Sequence, residues 1–185
     1  MRKFVVLALV LLVFCAYGGA QVATAGNVFF GYSYYNTDLI PFERTGMQGW
    51  QGALEGRILP HVSIVADLGG HYGSKDFIPP GIVCPISGCV PVHANMHIYD
   101  AMFGPRFFSD FGRVRVFQEF EVGVSHLTSE TLGSSTGVSG AIGGGVDFRI
   151  VRPIAWRGQV DFVWTHLTGT TQSVFRVATG PVFRF

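Results

Sequence analysis

Three features of the sequence predict an all-β fold: a closed antiparallel up-and-down transmembrane β-barrel of eight strands after an N-terminal signal peptide. Apolar and polar residues alternate with a period of two, broken by Gly, Pro and polar clusters, without competing helical periodicity. Charged residues make up 14% of the chain against 48% hydrophobic and 14% aromatic, whereas a soluble domain carries about 25% charged residues. The third feature is that charges within the strands keep to one face. At 185 residues the chain fits one domain.

The N-terminus reads as an export signal. Met1-Arg2-Lys3 is a short positive region, and Phe4 to Phe14 is an unbroken apolar run. A membrane-spanning helix needs roughly 20 residues, more than this run supplies. Small residues follow, with candidate cleavage sites after Gly18-Gly19-Ala20 and after Ala23-Thr24-Ala25. The first lies nearer the end of the apolar run and is favoured, giving residues 1–20 as signal peptide and 21–185 as outer-membrane β-barrel domain. A lipid anchor on Cys15 is disfavoured because Phe14 stands where a small residue is required. Cleavage removes Arg2 and Lys3, leaving eleven Lys/Arg against twelve Asp/Glu. That balance holds no basic tract for nucleic acid. Without a second long apolar run, the remaining chain can enter a membrane only as a barrel.

The alternation places strands at about 27–36, 47–58, 62–73, 96–108, 114–127, 139–150, 154–166 and 173–185, with ends uncertain by about two to four residues. Tight connections fall near Leu59-Pro60-His61, Asp110-Phe111-Gly112-Arg113 and Val151-Arg152-Pro153. Longer ones run over Thr37–Gly46, Ser74–Asn95 and Thr128–Val138, with a shorter one at Thr168–Gln172. Short periplasmic turns alternating with longer extracellular loops are the habit of outer-membrane barrels. An even strand count then leaves both termini in the periplasm.

The charge parity is the most specific signal. The expected inward set is Glu55, Arg57, Asp67, Arg106, Arg115, Glu119, Glu121, Asp147, Arg149, Arg157, Asp161 and Arg176, with Asp100 and Arg184 on the same parity. The opposite face carries Trp, Tyr, Phe, Val, Ile and Leu. Seven strands hold these fourteen charges. Once each register is chosen, chance agreement of the rest is about one in a hundred, from a strand period of two. An amphipathic soluble sandwich would share the parity, but its surface would carry more charge. Aromatics also fall where interfacial girdles belong: Tyr34, Trp50, Tyr72, Tyr99 and Trp164 near the long loops, and Phe107, Trp156, Phe183 and Phe185 near the short turns.

Cys84 and Cys89, within Cys84-Pro-Ile-Ser-Gly-Cys89, read as a local disulfide in an oxidising compartment. No further cysteine pair completes a metal site around them. His93, His97 and Asp100 lack the two-residue spacing that would put three ligands on one strand face. His71 points inward and reads as a hydrogen-bonded lumen residue.

Gly31-Tyr32-Ser33-Tyr34, Gly49-Trp50, Ala66-Asp67-Leu68-Gly69-Gly70-His71-Tyr72-Gly73, Phe103-Gly104-Pro105-Arg106, Gly143-Gly144-Gly145-Val146-Asp147 and the ending from Arg176 to Phe185 occur in this order. Together they resemble the small outer-membrane β-barrel domain family, OmpA-like in its transmembrane part, across essentially the whole chain after the signal. The resemblance implies eight antiparallel strands, no cofactor, residence among outer-membrane lipids in the bacterial outer membrane, and recognition of the terminal Phe185 by the barrel-assembly machinery. No peptidoglycan-binding segment follows Phe185, so a cell-wall tether is not carried over.

Three functional classes remain. An eight-stranded barrel is just wide enough for its own side chains, so paired inward charges would close the lumen. The expectation is a non-enzymatic barrel with a structural or surface-interaction role, meeting an extracellular partner through its loops. The first alternative is a narrow pore for water or small ions gated by Arg–Glu exchange. The second is a lipid-modifying enzyme: some small barrels act on lipid A with a His-x-Ser pair and a carboxylate. His61-Val62-Ser63 has that spacing but lies at a tight turn with no evident carboxylate. His126-Leu127-Thr128 and His166-Leu167-Thr168 lie at the loop end but lack the serine.

Overall fold

The computed structural model describes residues 25–40, 43–77, 92–129, 133–167 and 170–185. Eight strands follow one another: β1 (Gly26–Ile40), β2 (Glu43–Leu59), β3 (Val62–Phe77), β4 (Val92–Phe111), β5 (Val114–Ser129), β6 (Gly133–Val151), β7 (Ile154–Leu167) and β8 (Thr170–Arg184). Each pairs antiparallel with the next, and β1 pairs with β8 to close the barrel. Closure leaves no free strand edge, which allows every ladder donor and acceptor a partner. The signal segment 1–20 and the Cys84–Cys89 loop lie outside the described residues.

The three expected tight turns cluster at one end. Pro60-His61 joins β2 to β3, Gly112-Arg113 joins β4 to β5, and Arg152-Pro153 joins β6 to β7. Gly112 adopts φ +62°, a left-handed conformation with little steric penalty for glycine. Gly26 and Phe185 meet at this end, their backbones exchanging hydrogen bonds of 2.9 and 3.1 Å.

At the opposite end the strands outrun the sequence expectation. Ser74 pairs with Asn95 and Asp76 with His93, while Leu127 pairs with Ser135. Residues 74–77 and 92–95, and residues 128–129 and 133–138, read as loop from the sequence, are therefore paired ribbon. β4 has 20 residues, about twice the 9–11 that cross a bilayer. A ribbon extended beyond an apolar band meets water on its outer face, while inner residues such as Ala94 and Ser129 stay buried. Its Ser, Thr and Asn residues then keep the ladder while the alternation that marks a strand in sequence fades.

Within the barrel the alternation is regular. β5 alternates buried and exposed residues along most of its length. Close strand approach also explains two outward glycines. A Cβ on Gly70 would lie 2.7 Å from the Trp50 indole, and one on Gly140 would lie 2.4 Å from the Trp164 ring. Each tryptophan sits opposite its glycine in the ladder and covers it.

Candidate functional site

The lumen is filled in layers. Nearest the turns, Arg106 reaches across from β4 to Glu55 on β2 at 2.7 Å and grips Glu119 on β5 through Nε, also at 2.7 Å, and Nη2. Arg157 on β7 donates to both oxygens of Asp147, at 2.7 and 3.1 Å. The two guanidiniums also flank the Phe117 ring, 4.4 and 4.6 Å from its centroid, so cation–π attraction adds to the ion pairs. Asn27 and Ser63 complete the Glu55 carboxylate at 2.8 and 2.9 Å.

At mid-lumen Arg176 is fully buried and ties β8 to three strands. It lies 2.8 Å from Asp161 on β7, 3.0 Å from Asp67 on β3 and 3.6 Å from Glu121 on β5. Gln51 donates to Asp67, and Gln159 donates to Asp161 at 2.9 Å and to Glu119. Neither oxygen of Glu121 accepts a hydrogen bond. A Cβ on Gly143 would stand 2.0 Å from Asp161 Oδ1, so glycine there makes room for this carboxylate.

Towards the loops the lining turns apolar. Tyr35, Met47, Met96, Ile98, Leu127, Val163 and Val174 form one buried cluster. The sequence reading expects charge to fill the lumen; the structure places this apolar cluster in series with the charged layers.

The sequence-designated residues therefore divide. Glu55, Asp67, Arg106, Glu119, Glu121, Asp147, Arg157, Asp161 and Arg176 are buried and meet one another. Arg115 lies at the edge of this group, 2.8 Å from Asp110. Arg57 and Arg149 share the inward parity but line the open turn-end mouth. The charges are also sorted by depth. Six guanidiniums (Arg57, Arg106, Arg115, Arg149, Arg157, Arg184) face four carboxylates (Glu55, Asp110, Glu119, Asp147) on the turn side. Asp67, Asp100, Glu121 and Asp161 surround Arg176 beyond them. Sequence reasoning passed over Asn27, Gln51 and Gln159, because uncharged amides leave no parity signal.

Ser63 faces Glu55 while His61 bonds the Phe108 carbonyl at 3.3 Å, so His61-Val62-Ser63 is divided between different partners. A Ser-His-carboxylate line occurs elsewhere. His71 Nε2 lies 2.9 Å from Ser33 Oγ, and its Nδ1 lies 3.5 Å from Asp100 Oδ2. The order of groups matches a hydrolase triad, but the surroundings do not suit one. All three side chains are buried, and the Tyr35 ring packs 4.5 Å from the imidazole. Asp100 also accepts from Ser125. With Ser33 fully buried, the group reads as a packed layer beneath the plug, in which His71 hydrogen-bonds Ser33 and Asp100 lies at ion-pair distance only. His71, Asp100 and Ser33 share the inward parity, but only the cross-barrel register reveals their alignment.

The outer wall has the reverse character. Within the described strands, outward side chains include no Asp, Glu, Lys or Arg whose exposure is described. Phe30, Leu54, Leu68, Phe103, Phe120, Val122, Ile142, Phe148, Val160 and Phe175 stand exposed around the circumference. Tyr72 and Tyr99 share a 3.3 Å hydroxyl contact near the loop end, and Trp156 donates to Thr179 at 2.9 Å near the turn end. His126 and His166 are also outward at the loop end, held by Thr136 at 2.7 Å and Thr171 at 3.0 Å. His97 and Asp100 lie on opposite faces and do not converge, and the His93 side chain lies outside what the structure describes. No cluster suited to a metal ion occurs among the described residues.

These features define a class: a closed eight-stranded antiparallel barrel, charged within and apolar without. Among solved structures the chain is similar to Ail, the attachment invasion locus protein of Yersinia pestis, in complex with the heparin analogue sucrose octasulfate. The TM-score is 0.58 and the identity 12%, covering 87% of this chain and 97% of that one. It is also similar to Neisserial surface protein A, with TM-score 0.63 and 10% identity over 87% of this chain and 96% of the other. Both are small eight-stranded outer-membrane barrels, and this chain shares their fold, as its resemblance to the OmpA-like barrels implies. No family model matches the chain, nor does any curated protein.

Proposed function

We propose that this chain is an integral outer-membrane protein whose barrel spans the bilayer with its lumen shut. It presents its loop end as a surface-interaction module and catalyses no reaction. The observation that carries this reading is the inverted polarity of the wall. Soluble monomers rarely expose a contiguous apolar patch beyond a few hundred Å², whereas here apolar side chains encircle the barrel. The ion-pair layers and the apolar plug support a shut lumen. The cleaved signal and the Cys84–Cys89 disulfide belong to the same proposal, since both require export to an oxidising compartment. The loops, held on a rigid closed scaffold, would meet the extracellular partner, a role that suits a fold shared with an attachment protein and a surface protein.

Flotation of the refolded protein with lipid vesicles, together with heat-shifted mobility in cold detergent, tests the membrane assignment. The expected outcome is co-flotation and a folded band that shifts on boiling. A protein that stays soluble without detergent and remains below the vesicles would overturn it.

A second reading, a narrow cation pathway, draws on the Glu121 carboxylate, whose oxygens accept no hydrogen bond beside Asp67 and Asp161. Single-channel steps that diminish in Glu121→Gln would favour it over the shut scaffold.

A further inference from the structure

The turn-end mouth of the lumen gathers more arginine than its carboxylates neutralise. Arg57 from β2, Arg115 from β5, Arg149 from β6 and Arg184 from β8 line one pocket of about 190 Å³ open to solvent, with Glu55 and Phe185 also in its wall. They converge from different sides of the barrel and are not a charged run along one strand. The nearby carboxylates are already engaged. Glu55 holds Arg106 at 2.7 Å, and Asp147 holds Arg157 through both oxygens before Arg184 joins it at 3.2 Å. Asp110 is divided between Arg115 at 2.8 Å and Arg57 at 3.8 Å. Arg149 has no carboxylate within ion-pair distance among the described residues, and Nε of Arg184 is buried without an acceptor.

The mouth is also preorganised. The guanidiniums of Arg57 and Arg115 both rest on the Phe108 ring, 4.9 and 4.3 Å from its centroid. Stacking restricts the two long side chains, so less entropy is lost when their donors engage an acceptor. Planar guanidinium forks match phosphate and carboxylate oxygens. Arginines exceed side-chain carboxylates by two on this side, and the terminal carboxylate of Phe185, which lines the same pocket, lowers the excess to one, leaving a net positive site for an anion.

We propose that this mouth is an anion site that takes a phosphate group presented from the turn side of the barrel. The ligand is either a soluble phosphate compound or a phospholipid headgroup at the rim. The anion site itself stands on the closed barrel, whereas its headgroup form rests on the proposed membrane assignment.

Calorimetric titration with inorganic pyrophosphate tests it, using full-length protein folded in an uncharged maltoside detergent at low salt. The wild type is expected to bind at one site. Arg57→Gln and Arg149→Gln, at the solvent-facing rim, are each expected to weaken binding about tenfold through loss of a charge-assisted hydrogen bond. Arg113→Gln on the exposed β4–β5 turn is expected to leave it unchanged. Heat-shifted mobility confirms that each variant is folded. Repeating the titration in phosphatidylcholine and phosphatidylglycerol nanodiscs identifies the source. Equal binding in both upholds a soluble phosphate ligand, and suppression by phosphatidylglycerol upholds the headgroup. The proposal is overturned if the wild type binds no pyrophosphate in maltoside, or if both rim variants bind as tightly as the wild type.

Discussion

Arg176 is the side chain on which the middle of the barrel depends most. It is buried, and among the described residues it is the one arginine that reaches Asp161 at 2.8 Å, Asp67 at 3.0 Å and Glu121 at 3.6 Å. Arg176→Met keeps the apolar stem and most of the volume but leaves three carboxyl groups facing one another. Losing one partner of a buried ion pair typically costs about 3–5 kcal/mol, and that is the loss expected here. A loss of ~3–5 kcal/mol lowers the folded-to-unfolded ratio by roughly two to four powers of ten, at 1.4 kcal/mol per decade. Arg176→Lys keeps the charge but loses the fork that bonds two carboxylates together, so an intermediate loss is expected. Urea unfolding in detergent, followed by the ratio of folded to unfolded bands, measures both variants against the wild type. A loss below about 1 kcal/mol for Arg176→Met would refute the reasoning, because a pair so weakly coupled could not be organising the lumen.

Four further outcomes follow from the same geometry. Glu119→Gln is expected to cost about 1.5–3 kcal/mol in the same urea assay, since Glu119 accepts charge-assisted bonds from Arg106. Glu121→Gln, whose oxygens accept no bond, is expected to change stability by less than about 1 kcal/mol. Gly143→Ala should cost about 1–3 kcal/mol by overpacking, because the new methyl would meet Asp161 Oδ1 at 2.0 Å; unaltered stability would show that the carboxylate has room to move. Phe120→Arg on the outer wall should destabilise the bilayer-folded protein by about 2–4 kcal/mol, the penalty for arginine on a lipid-facing barrel wall near mid-membrane, and in a soluble barrel the same change would be neutral.

Much of this architecture is legible in the sequence because a barrel wall separates two environments. Glu119 and Glu121 alternating with Phe120 and Val122 fix the register of β5 without reference to any other strand, since a one-residue slip would reverse both faces. The turns are equally local: Pro60, Gly112 and Pro153 mark them by their backbone preferences. The strand extensions were hidden because residues such as Ser134, Thr136 and Asn95 lie where the alternation that marks a strand weakens. The pairing inside the lumen was hidden for another reason. Arg176 with Asp67, or Arg106 with Glu55, are contacts between non-adjacent strands, set by stagger around the closed barrel. Parity names the residues that face inward, but it does not say at what depth they meet. That is why Arg57 and Arg149 sit in an open mouth while Arg157, on the same parity, is buried. The apolar plug was overlooked because Met47, Met96 and Ile98 stand on a face identified by its charges.

The account turns on a barrel that spans the membrane with its lumen shut. Single-channel recording of the refolded protein in a planar bilayer tests this most directly, with protease protection confirming insertion. The account predicts a silent bilayer at all applied voltages, because ion-pair layers and the Tyr35–Met47–Met96 plug occupy the lumen in series. Reproducible conductance steps from inserted protein, altered in Glu121→Gln, would contradict it.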